Sequence, residues 1–131
     1  LDARVALREA VDADPDAVFD AFVEARDLLT EEARGRLAEA LGEGGTAESR
    51  AVVPLLLATC ASQGASRELL LAAREAVRAR VGRGEEPHAR WVGYLALAAR
   101  ALGEEEESRR LQSVFRSLPR RPASLDALLA E

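Results

Sequence analysis

A chain of 131 residues is long enough for one domain with a real core, and its formal net charge of −5 argues against a general nucleic-acid binder. All 18 basic residues are arginine, and Lys, Ile, Met and Asn are absent. Those missing residues share AT-rich codons, which points to a GC-rich genome and makes the arginine content poor evidence for phosphate binding. The single cysteine, Cys60, excludes a disulfide framework or a thiolate metal cluster within the chain.

Taken in order, the sequence reads as helix and turn. No segment alternates apolar and polar residues as a strand does. Leu1–Val11 is a first candidate helix, closed by the acidic stretch Asp12–Asp14. Asp14-Pro15 restarts the chain, with the carboxylate as N-cap and Pro at the first helical position. The second helix is predicted to run to Leu29, with Val18, Phe22, Ala25 and Leu29 on one face, widened by Phe19 and Val23. Thr30 caps a third helix, with Glu31 and Glu32 at its positive end and Ala33, Leu37 and Leu41 as its stripe. Gly42, Gly44 and Gly45 end it and make residues 42–46 a candidate hinge.

Thr46 is placed to cap a fourth helix. Pro54 interrupts it, because an interior Pro costs about 3 kcal/mol or more, so a kink or a fresh start near Val53 is predicted. No residue from Ala51 to Ala65 is charged. A helix apolar all round is read as central and buried, the alternative being a face reserved for a partner. Ser66 caps a fifth helix carrying Leu69, Leu70, Ala73, Val77 and Val81, with Arg67, Arg74, Arg78 and Arg80 mainly on its outer side, and Gly82-Arg83-Gly84 stops it.

Pro87 begins a sixth helix, with Trp91, Leu95, Ala98 and Leu102 in register as core. After Gly103, four Glu open a seventh, in which Glu105–Arg109 and Glu106–Arg110 form i, i+4 pairs worth ~0.2–0.5 kcal/mol each. Leu111, Val114, Phe115 and Leu118 are predicted to face inward. Ser124 caps a short final segment carrying Leu125, Leu128 and Leu129.

The segment from Pro87 to Pro119 thus folds back at Gly103, and a similar unit upstream folds back near Gly64, 39 residues earlier. That spacing lies in the range of helical-hairpin repeats. Trp91, Tyr94, Leu95 and Ala98 in the first helix, Leu111 and Val114 in the second, and the closing Pro119 resemble a tetratricopeptide-type repeat. Glu107 departs from that pattern, standing where a small residue should let the helices approach, and Gly103 comes one place late. The upstream stretches around Phe19–Gly45 and Ser49–Val77 resemble HEAT-type repeats. The resemblance covers residues 14–119 and implies an α-solenoid or solenoid-like bundle that binds protein or peptide on its groove side.

Motifs for chemistry are sparse. His88, the only histidine, has no Cys or second His at metal spacing, and reads as an exposed residue at a helix start rather than a general base. Cys60 has only neutral neighbours in Thr59, Ala61 and Ser62, and reads as a buried small hydrophobe rather than a nucleophile. The acidic clusters at Asp12–Asp16, Glu31-Glu32, Glu85-Glu86 and Glu104–Glu107 lack the ligand order of a calcium loop and suit helix N-termini. No phosphate-cradling Gly loop, nucleophile elbow or dinucleotide fingerprint occurs.

Two charge features remain. Residues 1–47 carry a net −7 and residues 48–131 a net +2, an asymmetry that could orient contacts between copies. Arg109, Arg110, Arg116, Arg120 and Arg121 form a basic patch, with Arg109, Arg116 and Arg120 on one helix side. It could grip an acidic peptide, a phosphate or a neighbouring copy, against the simpler reading of a solvated face.

The sequence therefore predicts a single all-α domain over residues 1–131, with about seven helices in stacked antiparallel hairpins, solenoid-like or as an orthogonal bundle. Opening on Leu1 without Met, it is expected to be part of a larger polypeptide. The expected role is a non-enzymatic protein- or peptide-binding scaffold without cofactor, with the five arginines as the partner surface. The alternatives are a self-association domain, and a ligand-binding or enzymatic bundle using His88, Cys60 and nearby carboxylates. Cytoplasmic location is expected, because no signal peptide is visible and the run Ala51–Ala61 is far shorter than the ~20 residues of a membrane span. Neither nucleic acid nor membrane is expected as a partner.

Overall fold

The computed structural model describes Glu9, residues 13–25, Leu28, Thr30, Glu32, Ala33, Val52, Pro54, Leu55, residues 67–81 (main chain only at Arg80 and Val81) and residues 88–130. Among these residues the chain is all-helical, with no strand. Five helices have bounds, not the seven predicted: α1 (Pro15–Ala25), α2 (Arg67–Val81), α3 (Ala89–Ala101), α4 (Glu105–Ser117) and α5 (Ala123–Leu129). The chain divides into two compact units, residues 1–66 and 67–131. No described helix is long and apolar enough to cross a membrane. The predicted helix at 1–11 apart from Glu9, the candidate hinge at 42–46, Gly64, Ser66, Gly82–Gly84 and Pro87 lie outside the described residues.

In the first unit, local chemistry sets the helix starts. The Asp14 carboxylate accepts from the Ala17 amide at 3.1 Å, satisfying one of the orphan donors of α1. Phe19, Phe22 and Val23 are the buried face of α1. That face is centred on Phe19, whereas Val18 and Ala25 are only half-buried. The described part of the helix runs to Ala25, and Leu28, inside the span predicted to reach Leu29, is in a 3₁₀ turn and 88 % exposed. Thr30 Oγ1 accepts from the Ala33 amide at 3.1 Å, the cap expected of it. Val52, Pro54 and Leu55 are helical and buried, which at these three positions agrees with a central helix.

The second unit is built on α3. Its small residues let three neighbours, α2, α4 and α5, close on it, and nine of its 13 residues are buried. Burial around most of the helix, the pattern expected of 51–65, is thus found in α3. Trp91 and Tyr94 lie in this core with ring centroids 5.8 Å apart, and Arg90 donates to the buried Tyr94 hydroxyl at 3.1 Å. Leu70, Ala73 and Val77 bury one stripe of α2, while Phe115 is the deepest side chain of α4. Leu125, Leu128 and Leu129 seal α5 onto the core. Each fully buried Leu or Phe contributes about 1.5–3 kcal/mol relative to exposure.

Two inward assignments and one cap are corrected. Leu69 is 49 % exposed and Val114 37 % exposed. Both sit at the edge of a stripe covered by a narrower partner surface than the periodicity assumed. Ser124 is not a cap: Pro122 occupies the N-cap position, its carbonyl takes the Asp126 amide, and Ser124 is buried inside the first turn of α5.

The turn between α3 and α4 is fixed by backbone alone. Gly103 has φ +79°, its amide donates to Arg100 O at 3.1 Å, and the Glu104 amide donates to Ala99 O at 2.9 Å. This is the Schellman closure, which needs a left-handed residue where Gly carries no Cβ penalty. Two arginines satisfy carbonyls at other helix ends. Arg100 donates to Leu128 O at 2.9 Å and Arg121 to Arg116 O at 2.5 Å.

Candidate functional site

The helices α2 and α4 both pack on α3 and flank the same stretch of it. Between them lies a cavity of about 100 Å³ floored by Leu95, Ala99 and Leu111. Its walls are charged, with Arg74 and Arg78 from α2, and Glu107 and Arg110 from α4. Apolar floor and charged rim are the composition of a surface that takes a side chain with an apolar stem and a polar head.

Arg74 anchors this site. The sequence places it on the outer side of α2, but its side chain is only 14 % exposed. It lies four residues after Leu70 and three before Val77, on the buried stripe. Arg74 Nη1 donates to both oxygens of Glu104, at 2.7 and 2.8 Å. Its Nε–H is buried and has no hydrogen-bond partner, the only such side-chain atom among the described residues. A buried donor left unpaired costs about 1–3 kcal/mol.

Arg110 donates through Nε and Nη2 to the two oxygens of Glu107, at 3.0 and 2.5 Å. This bidentate pair holds the Glu107 carboxyl below its ordinary value, chiefly through the Arg110 hydrogen bonds and against the opposing effect of desolvation. The same contact raises Arg110. The predicted Glu106–Arg110 pair is therefore replaced by an i, i+3 pair with Glu107. Arg78 is held to Glu75 at 3.0 Å on the exposed side of α2.

The five arginines of the predicted patch are all exposed but do not form one helical face. Arg109 sits 3.6 Å from Glu105 as expected, with both side chains exposed. Arg116 donates to Gln112 at 3.5 Å. The helix ends at Ser117, so Arg120 lies beyond it, at a positive φ of 58°, and cannot continue the Arg109–Arg116 row. Arg121 is turned back onto Asp126 at 3.1 Å. Of the five, Arg110 alone lines the cavity.

His88 is a structural cap. Its Nδ1 accepts from the Arg90 amide at 3.2 Å and its ring lies 6.1 Å from that of Trp91. It is exposed and is the N-cap of α3, whose first residue is Ala89, two residues later than the Pro87 start predicted. Cys60 lies outside the described residues. Among those residues, no group of three or more His, Cys, Asp or Glu converges as metal ligands. The close approach of α3 and α4 uses Ser108, not Glu107. Ser108 is buried, and its hydroxyl donates to Ala96 O at 3.4 Å. No protein-family model, no curated protein and no solved structure matches this chain.

Proposed function

We propose that this chain is a non-enzymatic, cytoplasmic protein- or peptide-binding module built of stacked helical hairpins. The observation that carries the reading is the cavity over Leu95 and Ala99, where two helices flank a third and leave an apolar floor with an arginine rim. A packed core alone needs no such opening. Charged side chains along it supply the orientation-specific contacts by which a groove selects a segment.

The hairpin-repeat resemblance gains support from one shift of register. Gly103 comes one place late, and the small residue at the helix crossing is Ser108, one place after Glu107. Both departures are the same single-residue displacement. The exposed arginines Arg109, Arg110, Arg116, Arg120 and Arg121, spread over α4 and the segment after it, are the proposed outer contacts, with Arg110 the one that also lines the groove.

The test is affinity capture from a cell extract on immobilised wild type, the Arg110→Glu variant and the Arg116→Glu/Arg120→Glu variant. A protein retained by the wild type and lost from Arg110→Glu supports the groove reading. Loss from the double variant alone places the contact on the outer rim. Identical recovery from all three refutes both surfaces.

A further inference from the structure

Between α4 and α5 the chain turns within Leu118 to Pro122. Leu118 and Arg121 each precede a proline, which keeps them out of the helical region. The rings of Pro119 and Pro122 fix φ at about −65°. Leu118 and Pro122 are extended, at ψ 145° and 133°. The turn therefore falls on Arg120, at φ 58°. This is the left-handed region, costly for any residue with a Cβ, and Arg120 is the only non-glycine residue in it among the described residues. A connector that favours extension is thus bent back at one strained position.

The contacts that hold α5 are ones a second copy can supply equally well. Leu125 and Leu128 are fully buried. Leu125 is seated on Gly93, its Cδ1 only 2.8 Å from where a Cβ would stand. Arg100 donates to Leu128 O at 2.9 Å. Arg121 is tied to Asp126 and so moves with α5, and its bond to Arg116 O can be made to the α4 of either copy.

We propose that α5 is an exchangeable helix, and that the crevice over Gly93 is a docking surface for the α5 of a second copy. The closed chain and the exchanged dimer bury the same leucines and differ at the hinge. Exchange lets Arg120 return to extended backbone in both copies, against the entropy lost on association. The exchange is independent of what the α2–α3–α4 cavity binds.

The test uses the full chain, with mass read by light scattering after size exclusion. The wild type at millimolar concentration is expected to convert slowly to a dimer. Arg120→Gly removes the strain of the closed turn, and should lower the dimerisation constant about fivefold, since each dimer relaxes two hinges. Arg120→Pro cannot adopt a positive φ, and should be dimeric with its helix content unchanged. Exchange itself is read by mixing two forms of the chain, one deuterated with labelled leucine methyls and one unlabelled. A cross-peak from labelled Leu125 to unlabelled Gly93 Hα is expected in the dimer. A monomeric Arg120→Pro, or a dimer without that cross-peak, overturns the proposal. Equal dimer fractions in the wild type and Arg120→Gly overturn the role of the hinge.

Discussion

Gly93 is where α3 comes closest to two neighbours, and replacing it with alanine sets two opposing effects against each other. A Cβ at this position would stand 2.8 Å from Leu125 Cδ1, 3.3 Å from Leu125 Cγ and 3.1 Å from Phe115 Cε2. Optimal carbon–carbon separation is about 3.5–4.0 Å, so both neighbours must move. Neither has room: Leu125 and Phe115 are fully buried. A χ2 change in Leu125 moves Cδ1 but leaves Cγ where it is, and a χ1 change has no space in a fully buried side chain. Overpacking of this kind costs about 1–3 kcal/mol, and two buried obstacles on two helices place it at the upper end. Against it stand a helix-propensity gain of about 1 kcal/mol and the burial of one methyl, at most about 0.8 kcal/mol. The expected net is a loss of about 1 kcal/mol. Urea unfolding followed by the fluorescence of Trp91, the single Trp, reads the unit concerned. The sharper measurement is a double-mutant cycle with Leu125→Ala. In that background the Leu125 obstacle is gone and only the Phe115 contact remains, so the loss on Gly93→Ala should shrink to near zero, with a coupling of about 1 kcal/mol. Additivity within about 0.3–0.5 kcal/mol, or a stabilising Gly93→Ala in the wild type, would refute the reasoning.

Gly103→Ala meets no atom within 4 Å but keeps a φ of +79°, so it should cost about 1–2 kcal/mol of backbone strain alone. Gly103→Asn should recover part of that loss in the same urea assay. His88→Ala removes the α3 cap and should cost about 0.5–1 kcal/mol, whereas His88→Ser should restore it; equal stability of all three would remove the cap from consideration. Arg120→Gly relieves a positive φ of 58° and should raise stability by roughly 0.5 kcal/mol, visible as a higher Tm. Glu107 has its carboxyl lowered from 4.5 by Arg110, so its stabilisation is present above the ordinary carboxylate value and is lost as pH falls through the lowered one. The stability gap between wild type and Glu107→Gln should therefore be constant near neutrality and close on acidification, and should shrink in high salt. A gap that widens toward acid contradicts that sign.

What could be read in the sequence was whatever a few neighbouring residues decide. Asp14 and Thr30 cap their helices through amides three residues away, and their signals are local and chemical. The periods of α3 and α4 were legible in part: Trp91, Ala98 and Phe115 are buried as read, whereas Leu95, Leu102, Leu111 and Leu118 are half-buried. The misses involve contacts across the fold. Val114 satisfies the helical period, yet it lies at the margin of the single surface that covers α4. Arg74 was placed outside because it is charged, although its register with Leu70 and Val77 puts it on the buried stripe. Its partner Glu104 is 30 residues away, and no local pattern announces it. His88 was recognisable as a residue at a helix start, but Pro87 competed for the role and His is not among the strong N-caps. Ser124 shows the reverse error: a good capping residue next to Pro122, which took the N-cap position and left the serine inside the helix.

The ion pair beside the groove is set by the turn next to it. Gly103 in the left-handed region allows the Glu104 amide to reach Ala99 O, and that bond fixes where the Glu104 carboxylate stands at the head of α4. Glu104 in turn takes both its hydrogen bonds from Arg74 Nη1. Because one nitrogen serves both oxygens, the rest of the fork is left over, and its Nε–H is buried without a partner. Had the turn placed the carboxylate against the Nε edge instead, the pair would be bidentate across the fork and the Arg74 Nε–H would be satisfied. The unpaired Nε–H therefore follows from how a glycine closes a hairpin, and the same closure sets α4, with Glu107 and Arg110, along the opposite wall of the cavity.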